Sequence, residues 1–181
     1  MISPIIYYLS ASVYHNYMAT FSFDIVSTYD KAEINNVFQQ VQRDISNRYD
    51  LKGTPAAVEW LGDKTGLVVT AANDMHLESI LDIIRRAIIA RGQSTKILDL
   101  DKEPTPGNLK LTKEVPFIEG LDQDKAKLVT AHIREHFPKA KSQIQGQEVR
   151  VQSPKKDELQ AVMQSLKSTE FAFPLSFQNF R

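Results

Sequence analysis

Apolar and polar residues alternate along Phe21-Ser22-Phe23-Asp24-Ile25, and a period of two marks a strand with one buried face. At Asp30 the period changes. Ile34, Val37, Phe38, Val41 and Ile45 recur at helical spacing and predict a helix over 31–48. Asp30 and Glu33 stand three apart at its start, the spacing of a capping box. Runs 57–61 and 67–71, joined by Gly62-Asp63-Lys64-Thr65-Gly66, read as a hairpin. Asp74 is the expected cap of a second helix carrying Leu77, Ile80, Leu81, Ile84 and Ile88, stopped by Gly92. Residues 96–100 read as a closing strand.

The order then repeats. Pro104, Pro106 and Gly107 mark 102–108 as a linker, and 109–118 alternates as a strand in which Pro116 suggests an edge or a bulge. Asp122 caps a helix carrying Ala126, Val129, Ile133 and Phe137, which Pro138 ends. Runs 140–145 and 148–152 flank Gly146-Gln147, a Gly-X pair suited to a type II′ turn. Ser153-Pro154 reads as an N-cap with proline at the first helical position, before Leu159, Val162, Met163 and Leu166. Leu175, Phe177 and Phe180 close the chain in a strand over 175–180. Two β-α-β-β-α-β units imply an α+β protein of tandem ferredoxin-like (RNP-like) domains with antiparallel sheets. The expected division is 18–104 and 105–181, and strand 21–26 is also able to pair beside 175–180, exchanging terminal strands between the domains.

Composition narrows the chemistry. The 181 residues include no cysteine, which excludes disulfides, a thiol nucleophile and thiolate metal sites. Charge sums to zero, so bulk charge does not mark a nucleic-acid binder. Residues 21–104 hold 10 Lys/Arg against 13 Asp/Glu, and 105–181 hold 12 against 9, so an anion-binding surface is expected in the second half. Residues 1–17 are apolar but interrupted by Pro4, Ser10, Ser12, His15 and Asn16. They have neither the basic start of a secretory signal nor the unbroken length of a membrane span. The expectation is a non-native or disordered extension, with Met18 as initiator of a cytoplasmic protein.

His132-Ile133-Arg134-Glu135-His136 matches an H-x-x-E-H zinc-peptidase pattern. Both histidines flank the apolar stripe of their helix, and no spacing recommends a third ligand, so no metal is expected. Phosphate-binding glycine loops and nucleophile elbows are absent. Neither an enzyme nor a cofactor is expected. The hairpin 140–152 is richer. With Ala140, Ser142, Ile144, Val149 and Val151 toward the helices, Lys141, Gln143, Gln145, Glu148, Arg150 and Gln152 face outward. Amides read base edges, and Lys141 and Arg150 suit phosphate, joined by Lys155 and Lys156 at the following helix start. An ordinary solvated strand face carries similar residues. The middle-strand segments 67–71 and 148–152 lack the aromatics on which RNA-recognition domains stack bases. Trp60, Phe117, Phe171, Phe173, Phe177 and Phe180 are better read as core.

Several of these segments resemble the bacterial YajQ family: Ser22-Phe23-Asp24-Ile25-Val26, Gln143-Ile144-Gln145-Gly146 with Val149-Arg150-Val151, Asp157-Glu158-Leu159-Gln160-Ala161-Val162, and the ending Phe177-Gln178-Asn179-Phe180-Arg181. The resemblance runs from about Met18 to Arg181. It implies a non-enzymatic nucleotide-binding protein: a receptor for cyclic di-GMP or GTP coupled to a transcriptional regulator, or a module binding tRNA through a sheet face. On that reading Lys141, Arg150, Lys155 and Lys156 hold phosphates, and Gln143 and Gln145 read base or ribose. Asp24, Asn179 and Arg181 join them if the terminal strands border the site. Two departures bear on ligand preference. Gln147 stands where an acidic residue is common, and Ser153-Pro154 shifts the Lys155-Lys156 pair relative to its helix.

Overall fold

The computed structural model describes residues 20–181. The expectations for residues 1–17, and for Met18 as the start, lie outside this span. The elements are β1 (Phe21–Val26), α1 (Lys31–Asn47), β2 (Ala57–Leu61), β3 (Gly66–Ala71), α2 (Asp74–Ala90), β4 (Thr105–Gly107), β5 (Lys110–Pro116), α3 (Gln123–His136), β6 (Lys141–Gln145), β7 (Glu148–Ser153), α4 (Lys156–Ser168) and β8 (Ser176–Gln178). They form two four-stranded antiparallel sheets, ordered β2-β3-β5-β4 and β6-β7-β1-β8. Each sheet is covered by two helices on one face, a tandem ferredoxin-like arrangement.

The apolar stripes explain the layers. Ile34, Val37, Val41 and Ile45 of α1 and the Leu/Ile stripe of α2 pack on Val58, Leu67, Val69, Ala71 and Val115. Ala126, Val129 and Ile133 of α3 and Leu159, Val162 and Leu166 of α4 pack on Phe23, Ile25, Val149 and Val151. Because side chains alternate along a strand, this packing aims Ser22, Asp24, Arg150 and Gln152 at the opposite, helix-free face. β1 therefore lies in the sheet of α3 and α4, between β7 and β8, although α1 follows it directly. In the other sheet the same inner position belongs to β5, at the end of its unit. Two crossings join the units side by side: the Gly120 N–H donates to the Ser27 carbonyl at 2.7 Å.

Caps and turns differ from expectation in a few places. Asp30 accepts from the N–H groups of Ala32 and Glu33, and Asp122 from those of Asp124 and Lys125, but the capping box expected at Asp30 is not closed by Glu33, because the Asp30 N–H donates to Gln93 Oε1. Asn73, not Asp74, caps α2, because its side chain reaches the His76 N–H. Ser153 does not cap α4. It is the last residue of β7, held opposite Phe21, and its Oγ accepts from the Lys155 N–H, so the helix opens at Lys156 and Pro154 precedes it. The strand expected at 96–100 is a single 3₁₀ turn, Thr95–Ile97, followed by one bridge from Leu98 to Phe117. The place beside β5 is taken by Thr105–Gly107, within the stretch expected as linker.

Candidate functional site

On the open face of β6-β7-β1-β8 the strand register sets polar residues in rows. Gln143, Arg150, Asp24 and Gln178 stand opposite one another across all four strands. A neighbouring row runs Lys141, Gln152, Ser22. Arg181 extends it, since its backbone N–H and carbonyl both pair with Ser22 at 3.0 Å. On the other side Gln145 faces Glu148 across the β6–β7 turn, where Gly146 has a φ of 63°. A positive φ at that residue is what a type II′ turn needs.

Asp24 is the centre of this face. It is 1% exposed and accepts from Arg150 Nε at 2.8 Å, Arg150 Nη2 at 2.9 Å and Asn179 Nδ2 at 2.9 Å. A two-pronged guanidinium–carboxylate pair fixes both planes. The Arg150 hydrogen bonds hold the Asp24 carboxyl below its ordinary value, against the opposing cost of burial, with Asn179 and the charge of Arg181 adding to the lowering. The same bonds raise Arg150. Asn179 reaches Asp24 by way of a left-handed backbone, φ 54°. Between the pairs Asp24–Gln178 and Ser22–Arg181, two residues, Asn179 and Phe180, oppose the single Phe23. This has the residue count of a bulge, and asparagine tolerates the conformation it needs.

The structure thus brings Lys141, Gln143, Gln145, Arg150, Asp24 and Arg181 to one face, with Asn179 at its edge. Lys156 is placed elsewhere. Its Nζ lies 5.4 Å over the ring of Phe21, which packs on the helix-covered side, and Lys155 is exposed at the start of α4. Arg150, read from sequence as a free phosphate ligand, is already committed to Asp24, with a side chain 27% exposed. Lys141 and Arg181 make no ion pair among the described residues.

The open face ends in a cleft of about 520 Å³ beside the crossings, lined by Ser27, Thr28, Glu119, Gly120, Gln145, Gln147, Glu148 and Gln178 together with Val26. Of these, Gln145 alone is a sequence candidate. Ser27, Glu119 and Gly120 sit in connecting segments about 90 residues apart in the chain, so only the fold brings them together. The one local signal is Gly120, whose φ is 84°.

The histidines of the zinc-like pentapeptide serve packing. His132 Nε2 is 2.8 Å from the Ser165 hydroxyl on α4, and its ring stacks on His136 at 4.3 Å. Among the described residues no three metal-ligating side chains converge. Most of the described aromatics pair, such as Phe38 with Trp60 and Phe23 with Phe177, and Phe180 lies 6.0 Å from the Phe23 ring while 60% exposed. No helix among the described residues is long and apolar enough to cross a membrane.

A tandem ferredoxin-like fold with a polar, cation-bearing open face defines the class: an α+β protein of two antiparallel sheets, each covered by two helices. The family model described as "Nucleotide-binding protein YajQ-like" matches residues 21–181, and the chain belongs to that family. A protein of Synechococcus sp. (strain JA-2-3B'a(2-13)) is 40% identical over 163 residues, covering 90% of this chain and 99% of the relative. One from Thermobifida fusca is 38% identical over 161 residues, 88% and 97% of the two chains. A third, from Chloroherpeton thalassium, is 36% identical over 163 residues, 90% and 99%. Each bears the name "Nucleotide-binding protein".

Proposed function

We propose that this protein is a non-enzymatic cytoplasmic receptor for a nucleotide, cyclic di-GMP or GTP, held on the open face of β6-β7-β1-β8 and coupled to regulation through a partner such as a transcriptional regulator. The observation that carries the reading is the placement of two unpaired cations, Lys141 and Arg181, on the same face as the Asp24-locked Arg150. Locking has a chemical consequence. With its charge balanced by Asp24, Arg150 offers a fixed planar edge rather than a free charge. Lys141 and Arg181, at the two ends of their row, supply the net positive charge. Three strand spacings separate them, about 14 Å of backbone. Gln143 and Gln145 supply donors and acceptors for ribose or base. Lys155 and Lys156 fall outside this contact set.

The test is isothermal titration of the full chain with cyclic di-GMP and with GTP, repeated on Lys141→Ala with Arg181→Ala. These changes leave the Asp24–Arg150 pair in place. Micromolar binding that weakens at least tenfold in the variant supports the reading. Binding unchanged in the variant removes the site but keeps the receptor. Absence of binding to both ligands removes the receptor, and a tRNA titration then follows. A steep loss of tRNA affinity with salt, scaling with the phosphates contacted, would establish the RNA-binding alternative.

A further inference from the structure

We propose that the free edge of β6 is a docking site for an acidic peptide, which adds to the sheet as a further strand. The inference does not rest on nucleotide binding. β6 is the outermost strand of β6-β7-β1-β8 and has a partner strand on one side only. Gln145 and Glu148 flank the two-residue turn, so they exchange ladder hydrogen bonds, and so do the pairs Gln143–Arg150 and Lys141–Gln152. Ser142 and Ile144, in between, turn their N–H and carbonyl groups away from β7. These two residues, about 7 Å apart along the strand, present the groups that an incoming strand bonds.

The other sheet edges are less suited. β4 has three residues, one of them Pro106, and β8 has three. β2 matches β6 in length, but its one charged residue is the exposed Glu59. β6 contains no proline and no residue of positive φ, so its edge is continuous.

Charge names the partner. Between residues 134 and 147 the chain has three cations, Arg134, Lys139 and Lys141, against one acid, Glu135. All three cations are exposed and make no ion pair among the described residues. Arg134 and Lys141 line a cleft of about 420 Å³ at the start of β6, with Pro138, Ala140 and Ser142 beside them and no carboxylate in its wall. Glu148 stands at the turn end of the hairpin, so acidic residues are favoured where β6 begins and neutral ones where it ends. Lysine on an edge also discourages pairing of two like edges, which disfavours β6 of a second copy. Ile144 is half-buried at the margin of the core, where an apolar side chain on the incoming strand extends that core. A nucleic acid phosphate answers the cations but offers no N–H donor to the Ser142 and Ile144 carbonyls and no apolar contact to Ile144. An extended peptide supplies all three.

The experiment is fluorescence anisotropy of the full chain with labelled probes. Asp-Glu-Val-Thr-Val-Thr-Val and its reverse cover parallel and antiparallel addition. One of them is expected to bind at micromolar concentration. N-methylation of one alternate set of its backbone amides should weaken binding about tenfold, and of the other set should leave it unchanged, because only one set faces β6. Ser142→Pro removes an outward N–H and leaves the β7 ladder intact, and it should weaken binding about tenfold as well. Arg134→Ala with Lys139→Ala should weaken it several-fold. Should Ser142→Pro melt well below the native protein, the methylated probes on the native chain decide. Absence of binding by both probes overturns the proposal. So does equal binding of the two methylated forms, or binding that survives in folded Ser142→Pro, since charge attraction alone would then account for it and an RNA oligomer would share it. Sedimentation in which the mass of the native chain rises with concentration, and that of Ser142→Pro does not, would give the edge to a second copy instead.

Discussion

Asp24 on β1 and Arg150 on β7, 126 residues apart in the chain, meet in a two-pronged ion pair with bonds of 2.8 and 2.9 Å. The pair joins the strand that opens the described chain to the hairpin that carries the candidate ligand face. Asp24→Asn removes the charge of an almost fully buried carboxylate and leaves Arg150 with a weaker partner. The expected loss is about 1–3 kcal/mol, the range for hydrogen bonds to charged groups, toward its lower end because Arg150 retains some access to water. The sign with pH follows from the lowered carboxyl. A depressed carboxylate contributes stability above its ordinary value, and this is lost as pH falls through the value in the folded protein. Urea denaturation at pH 7 and at pH 3 should show the native protein losing more stability on acidification than Asp24→Asn. Parallel losses would mean that Asp24 is not the group responsible.

Asn179 serves two purposes that separate experimentally. Its φ of 54° suits asparagine or glycine, and its amide donates to Asp24 at 2.9 Å. Asn179→Gly keeps the backbone and loses only the amide, whereas Asn179→Ala loses both. Thermal unfolding should place the alanine variant below the glycine variant, with a total cost of about 1–2 kcal/mol for alanine. The reverse order would show that the chain there does not depend on a left-handed residue.

Local features of the fold were legible from the sequence, and among nonlocal ones the pairing of strand 21–26 beside the last strand, seen as Ile25 opposite Phe177, was one of its alternative readings. The stripe Ile34, Val37, Val41, Ile45 announces α1, and Asp30 and Asp122 announce their helix starts, because these signals act within one or two turns. The register Gln143–Arg150 was legible because a two-residue turn fixes it. The partner of Arg150 on its other side is set by which strand fills the inner position of the sheet, and alternation within 21–26 carries no information about that. Lys156 stands at the start of α4, where the sequence puts it, but not on the face that carries Arg150. Nearness in sequence to Arg150 hides the sheet, which lies between them. Residues 96–100 carry a strand-like pattern, but Ser94 caps a 3₁₀ turn there by accepting from the Lys96 N–H, and only Leu98 bridges to Phe117. The cleft residues Ser27, Glu119 and Gly120 come from connections, where no periodicity exists to read.

Gly66 opens β3 where the backbone of β5 passes closest. A Cβ built there falls 2.5 Å from the Val115 carbonyl oxygen and 2.7 Å from Pro116 Cα. Both are backbone atoms of a paired strand, so relief requires the ladder to part. Gly66→Ala is expected to cost about 1–3 kcal/mol, as overpacking does. Gly53→Ala is the contrasting case: nothing lies within 4 Å of its Cβ, and its φ of 78° makes the cost one of backbone strain alone. Chemical denaturation with amide exchange resolves the two. Gly66→Ala should loosen protection across the β3–β5 ladder, and Gly53→Ala should leave that ladder unchanged. A ladder as protected in Gly66→Ala as in the native protein would refute the close-approach account.

His132 links α3 to α4 and should make that contact sensitive to mild acid. Burial lowers its pKa first, and the neighbouring His136 lowers it further, against a smaller opposing effect of Glu135. The groups around its ring are the Ser165 hydroxyl, the His136 ring stacked at 4.3 Å and the edge of Phe171 at 6.1 Å. None is an anion that would welcome a second proton. The unfolded chain therefore binds a proton at this site more readily than the folded one. Folding stability is unaffected above the ordinary histidine value of 6.5 and falls as pH drops from there through the lowered value in the folded protein. His132→Gln keeps a hydrogen-bonding group near Ser165 and cannot titrate. Urea midpoints at pH 8 and pH 5.5 should therefore differ less in His132→Gln than in the native protein, while the two proteins lie closest at pH 8. Equal differences in both would assign the acid sensitivity to another group, and titration of the His132 ring by NMR would decide it directly, with a value at or above 6.5 contradicting the packing argument.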